Sequence, residues 1–176
     1  FRSVYGVIDR PAYDAQSRVN TFVHVNYSRD LPRYGVLLCV NGTGILNSWI
    51  RQNCMTGPGG DALSYAEMDR LASSAPVGSG GLMILPYGNG AERTLGNRNP
   101  GAAIRGLSFT THSRPHLLRA AQEGIVFALN YGVEIMRNMG MKIQTVRAGN
   151  ANLFLSPLFC EAFAAVTGAQ VELDNT

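Results

Sequence analysis

The sequence predicts an α/β domain on a mixed sheet, and three observations carry that prediction. Three β-rich segments come first, at Phe1–Ile8, Thr21–Tyr27 and Tyr34–Val40. Apolar strands then alternate with helical patterns as far as Val171–Leu173. Residues that start and stop helices fall where those patterns begin and end. Antiparallel strands followed by strand–helix alternation imply a mixed sheet with helices on its faces.

The elements follow in order. Phe1–Ile8 alternates loosely and reads as a strand, and the polar stretch Asp9–Asn20 as a loop. Thr21–Tyr27 alternates, Arg29–Arg33 with Pro32 turns, and Tyr34–Val40 is the third strand. Short connections suggest an antiparallel meander. Asn41–Gly44 is a tight turn before a helix over Ile45–Asn53. Met55–Asp61 is a Gly/Pro loop. Ser64 and Glu67 form a capping-box pattern for a helix through Leu71, which Pro76–Gly81 breaks. Leu82–Leu85 is a short apolar run, expected to be a central strand. A long Gly-rich loop follows, carrying Glu92, Arg93, Asn99 and Arg105; ordered loops of that length are usually functional. Ser113 and Pro115 open a long helix whose apolar residues recur every three or four positions until Gly140. Lys142–Val146 is a strand, Arg147–Leu155 a turn, and Ser156-Pro157 starts a helix that Gly168 ends. This order is the pattern of the ribonuclease-H-like, actin-type ATPase fold.

Bulk properties narrow the function. The 176 residues suit one domain with a real core. Fifteen basic residues against twelve acidic give +3, and the arginines form no basic run, so charge does not suggest nucleic-acid binding. No apolar run approaches the roughly 20 residues of a membrane span. Three dispersed cysteines without C-x-x-C fit a reducing compartment, and the cytoplasm is the expected location. The chain starts at Phe1 without Met, inside a strand pattern, and stops as another strand finishes. A larger parent protein is the expectation.

Two turns have the form strand, small residues, helix. They are Asn41–Gly44 and Arg147–Asn152. A helix N-terminus offers free N–H groups and partial positive charge, so it attracts phosphate. Neither turn is a P-loop, whose spacing and lysine are missing. The plain alternative is that Gly42, Gly44 and Gly149 only permit tight turns. Glu92-Arg93 reads as a loop-ordering ion pair or a ligand contact, and Arg105 has the same ambiguity. His24, His112 and His116 show no metal spacing. The aspartates Asp61, Asp69 and Asp174 have no paired carboxylate for acid/base work.

The motifs Leu85-Pro86-Tyr87, Glu92-Arg93, Arg105-Gly106, His112, Arg119-Ala120, Glu123-Gly124 and Phe127 occur in one order along the chain. That set resembles the C-terminal domain of FGGY carbohydrate kinases, in a xylulokinase-like version, from about Thr21 to Gly168. The resemblance implies that residues 1–176 are the nucleotide-binding domain of an ATP- and Mg²⁺-dependent sugar kinase, its sugar substrate a ketopentose such as xylulose. It further implies nucleotide contacts at Gly44, Ser48 and Gly149, with Asn150 and Asn152 beside them. Ala148-Gly149 departs from the family's usual Gly-Gly, and the stretch to Ser156 is longer than usual. No catalytic residue and no metal ligand is expected here, because the family's Asp-x-Gly-Thr motif and base belong to the N-terminal domain, the expected partner. The fragment alone is expected to be inactive, and a homodimer stays open. The alternative reading is a non-catalytic actin-like module that binds nucleotide or a partner.

Overall fold

The structure, a computed structural model, describes residues 2–57 and 59–174. Phe1, the first residue of the expected first strand, lies outside them, as do Pro58 and the two residues after Asp174. Strands β1 (Arg2–Ile8), β2 (Asn20–Val23) and β3 (Tyr34–Val40) form one antiparallel sheet. β3 lies where the sequence predicts it. Its residues Val36, Leu38 and Val40 are fully buried on one face, as period-two alternation demands.

The expected meander does not form. The order is β1-β3-β2, so β3 is central and pairs with both neighbours, Arg2 opposite Val40 and Asn20 opposite Leu37. β2 is also shorter than Thr21–Tyr27. The chain turns at His24, whose carbonyl accepts from Tyr27 N–H at 2.9 Å and whose Nδ1 accepts from Asn26 N–H at 3.0 Å. A side chain offering the backbone this local alternative ends the strand.

Helix α1 (Thr43–Cys54) starts two residues before the predicted Ile45. Helix α2 (Tyr65–Ala72) has the predicted capping box: Glu67 Oε2 accepts from Ser64 N–H at 2.8 Å and Ser64 Oγ accepts from Glu67 N–H at 3.3 Å. The apolar run predicted as a central strand becomes β4 (Met83–Leu85), which pairs antiparallel with β5 (Ala103–Arg105) inside the expected loop. Helix α3 (Arg114–Asn138) has its Pro in the first turn, and His116 Nδ1 accepts from Ser113 N–H at 3.3 Å. Strand β6 (Thr145–Gly149), later than predicted, and β7 (Gln170–Asp174) pair in parallel through helix α4 (Pro157–Thr167). Among the described residues the strands thus form three separate sheets, an antiparallel one of three strands, an antiparallel pair and a parallel pair, where a mixed sheet was expected.

α3 is the axis of the packing. One cluster joins β3, α3 and α4 around Leu38, Ile125, Phe159 and Phe163, and a second joins α1, α2, β4 and α3 around Ile50, Met68, Ile84 and Leu118. The helix lies close on β4: a β-carbon at Gly124 would fall 1.9 Å from Ile84 O. Only a residue without a side chain permits that approach. Inside the helix Arg119 Nε meets Glu123 Oε1 at 2.8 Å, and both side chains are mostly buried. Arg119 also donates to Ala75 O, while Glu123 accepts from Gly78 N–H and Ser79 Oγ. This pair fastens the α2–β4 connection to α3 and satisfies charges that would be costly if left alone.

Candidate functional site

The turn between β3 and α1 stands at the rim of the core. Gly42 precedes α1 without a side-chain cap, and the first turn holds no acidic residue. The first N–H groups of a helix lack intrahelical partners and carry partial positive charge. The two glycines here differ. A β-carbon on Gly42 would lie 1.4 Å from Pro86 O, whereas one on Gly44 would meet nothing within 4 Å. Gly42 is therefore required by packing, and Gly44 faces open space.

The second turn follows β6. Asn150 N–H donates to Asp174 O at 3.0 Å and Ala151 N–H to Gly149 O at 2.7 Å. Asn152 is left-handed, with φ 56°, and opens a 3-10 turn to Leu155. Ser156 then caps α4, accepting from Phe159 N–H at 3.4 Å. Its hydroxyl donates to Gln122 Oε1 at 3.0 Å, and Gln122 Nε2 donates to Asp69 Oδ1 at 2.7 Å. Both Ser156 and Gln122 are buried. This chain of hydrogen bonds ties α4, α3 and α2 together behind the turn.

Parts of both turns reach one cavity of about 670 Å³, a size suited to a small ligand. Gly44 and Asn47 come from α1, Tyr65, Asp69 and Arg70 from α2, and Asn152 from the second turn. Tyr65 is half-exposed, with the Arg51 guanidinium 5.1 Å from its ring centroid. Of the residues expected at the site, Gly44 and Asn152 meet here. Ser48 lies one turn along α1, where its Oγ accepts from Gln52 Nε2 at 3.4 Å. Gly149 and Asn152 line a second cavity, of about 700 Å³, bounded by β1 and β6 and floored by Leu129, Met136 and Phe163. Asn150 is held by its backbone to β7. Sequence reasoning missed Asn47 and the α2 face. Tyr65 and Asp69 stand four apart, hence on one face of a helix, but linear spacing does not say what that face meets.

The long loop behaves differently from expectation. Among the described residues Glu92 and Arg93 form no ion pair, either together or with others. Arg93 Nε donates to Ser17 O at 2.8 Å. Glu92 is 1% exposed, and its Oε2 accepts from Asn41 N–H at 3.0 Å. Its Oε1 is buried without a hydrogen-bond partner, as is Thr94 Oγ1. Burial pushes this carboxyl above its usual range, opposed by the N–H groups of Asn41 and Arg93. Arg105 is exposed on β5.

Residues 10–175 match the model of the FGGY family of carbohydrate kinases, C-terminal domain. A xylulose kinase of Haemophilus influenzae is 40% identical over 85 residues, 48% of this chain and 17% of that protein. A xylulose kinase of Bacillus subtilis is 34% identical over 88 residues, 47% of this chain and 16% of its own. Among solved structures, ligand-bound xylulose kinase from Lactobacillus acidophilus superposes with a TM-score of 0.80 at 24% identity, covering 97% of this chain and 32% of that one. Plasmodium falciparum glycerol kinase with ADP gives a TM-score of 0.80 at 20% identity, covering 99% and 34%. At these identities the superpositions speak for the fold. This chain spans about a third of each solved structure. With the model match running almost from end to end, the chain belongs to the FGGY family of carbohydrate kinases, as its C-terminal domain.

Proposed function

We propose that this domain holds the ATP of a sugar kinase, in a fold of the ribonuclease-H-like, actin-type kind. The parent protein transfers the γ-phosphate of ATP to a sugar hydroxyl, and a ketopentose such as xylulose is the substrate class that the xylulose kinases among its relatives favour. The observation that carries the reading is the cavity where the uncapped start of α1 at Gly44 meets Asn152. Backbone N–H groups at a helix start suit phosphate, and a cradle without a β-carbon at Gly44 lets an oxygen approach them. Tyr65 and Asp69 offer a flat aromatic edge and a hydrogen-bond acceptor to the rest of a nucleotide. Gly149, Asn150 and Ser48 stand outside that cavity's lining and act on nucleotide through the second turn and the helix they belong to.

Among the described residues no group of three or more His, Cys, Asp or Glu is placed to hold a metal. In this reading Mg²⁺ is held by the phosphates and by the companion N-terminal domain. That domain supplies the catalytic base and most of the sugar contacts. Phosphoryl transfer relies on positioning and charge stabilisation, so a site divided across a cleft is physically reasonable.

Gly44→Asp tests the reading. The new carboxylate has room and sits in the first turn of α1, where an acid stabilises a helix by about 0.3–1 kcal/mol. The same charge opposes phosphate by about 1–4 kcal/mol at ~4 Å. The variant should melt no lower than the wild type yet bind MgADP at least about tenfold more weakly in calorimetry. Unchanged MgADP affinity in a folded variant would refute the placement of phosphate at α1.

A further inference from the structure

The long loop does more than decorate β4 and β5. It closes on the turn before α1 at several points. Glu92 Oε2 accepts from Asn41 N–H at 3.0 Å, Asn41 Nδ2 donates to Ala91 O at 2.9 Å, and Asn89 Nδ2 donates to Asn41 O at 3.3 Å. On the other side Gly42 is pressed against the Pro86 carbonyl. The clasp therefore takes hold of Asn41 by its backbone N–H, its backbone carbonyl and its side chain. Glu92 is the member that cannot be replaced by water, because it is 1% exposed and its second oxygen has no hydrogen bond. Burying a carboxyl group is costly unless it is hydrogen-bonded, and the bond from Asn41 N–H offsets that cost here.

We infer that Glu92 is a positioning residue for nucleotide binding. It fixes the Asn41–Gly44 turn so that the α1 N–H groups point into the cavity at Gly44. Its role is hydrogen-bond acceptance, and it does not itself touch the ligand: the cavity lining at this end is Gly44 and Asn47, not Glu92. The inference rests on the nucleotide reading above for its consequence, while the clasp itself rests on the contacts alone. Glu92 also ties the loop internally, its N–H donating to Arg98 O at 2.8 Å and its carbonyl accepting from Asn97 N–H at 3.0 Å. Those bonds use the main chain, so a side-chain substitution leaves them in place.

The test uses the 176-residue chain and two variants, Glu92→Ala and Glu92→Gln. Backbone amide exchange at Asn41 and MgADP affinity are read for all three proteins. Glutamine keeps an acceptor oxygen, so Glu92→Gln should retain slow Asn41 exchange and bind MgADP within about twofold of wild type. Glu92→Ala should expose Asn41 N–H, with exchange at least about tenfold faster, and weaken MgADP by about tenfold, the loss expected for one hydrogen bond to a charged group. Unchanged Asn41 exchange in Glu92→Ala would overturn the clasp. Faster exchange with unchanged affinity would overturn its role in binding, as would equal losses in the two variants. Failure of the wild type to bind MgADP would instead overturn the nucleotide reading, and the exchange data would still decide whether Glu92 holds the turn.

Discussion

Gly124→Ala should destabilise the protein even though alanine is the better helix former. The added β-carbon would lie 1.9 Å from Ile84 O and 3.1 Å from Ile84 C. Contacts of this kind settle near ~3.5 Å, so α3 or β4 must yield by more than about 1 Å. The obstacle is backbone in a strand paired with β5, and Ile84 is buried, so no side-chain rotation relieves it. Overpacking of a well-filled core costs about 1–3 kcal/mol, and the upper end applies here. Alanine returns about 1 kcal/mol of helix propensity. The net loss is about 2 kcal/mol, or roughly 4–8 °C in Tm for a chain of this length. Gly44→Ala is the internal control: its β-carbon meets nothing within 4 Å, so the same exchange in α1 should stabilise by about 0.5–1 kcal/mol. Urea titrations followed by far-UV circular dichroism measure both. A Gly124→Ala protein as stable as the wild type, or shifts of the same sign in both variants, would refute the close approach of α3 to β4.

Acid offers a second probe. The Arg18 guanidinium bonds both Asp14 oxygens, at 2.9 and 2.7 Å, and holds the carboxyl down at about 2. An unfolded aspartate titrates near ~3.9. A lowered folded value means stability that is present above about pH 4 and lost as pH falls toward 2. Asp14→Asn should flatten that part of the Tm–pH curve, and parallel curves would count against the pairing. Ser156→Ala should cost about 2–3 kcal/mol, because it removes the α4 cap and strips Gln122 Oε1 of its donor in a buried place. A denaturation midpoint within error of wild type would show that water replaces the hydroxyl.

Local chemistry was legible in the sequence, and pairing was not. The capping box of Ser64 and Glu67, the start of α3 at Ser113 and Pro115, and the bounds of β3 follow from contacts within a few residues. The order β1-β3-β2 does not, because alternation tells a strand which face to bury and not which neighbour to take. β5 was lost for the same reason: Ala103–Arg105 becomes a strand only because β4 lies beside it. At the site, Gly44 and Asn152 stood out as small or turn-forming residues ahead of helices. The α2 face did not, since its position depends on Gln122 reaching Asp69 from another helix. Glu92 and Arg93 looked like a pair because they are adjacent, yet adjacent side chains point apart, and their partners lie 51 and 76 residues away.

The cavity between β1 and β6 has a practical consequence. Among the described residues β1 is bonded to β3 and β6 to β7, so each turns its other edge toward that cavity. Open strand edges are templates for foreign strands, and proteins usually blunt them with charge or proline. The sequence of β1 holds one charged residue, Arg2, and no proline, and that of β6 holds Arg147 alone. A concentrated solution of this domain is therefore at risk of sticking edge to edge, and any assembly it forms must be judged against that tendency before it is credited to biology.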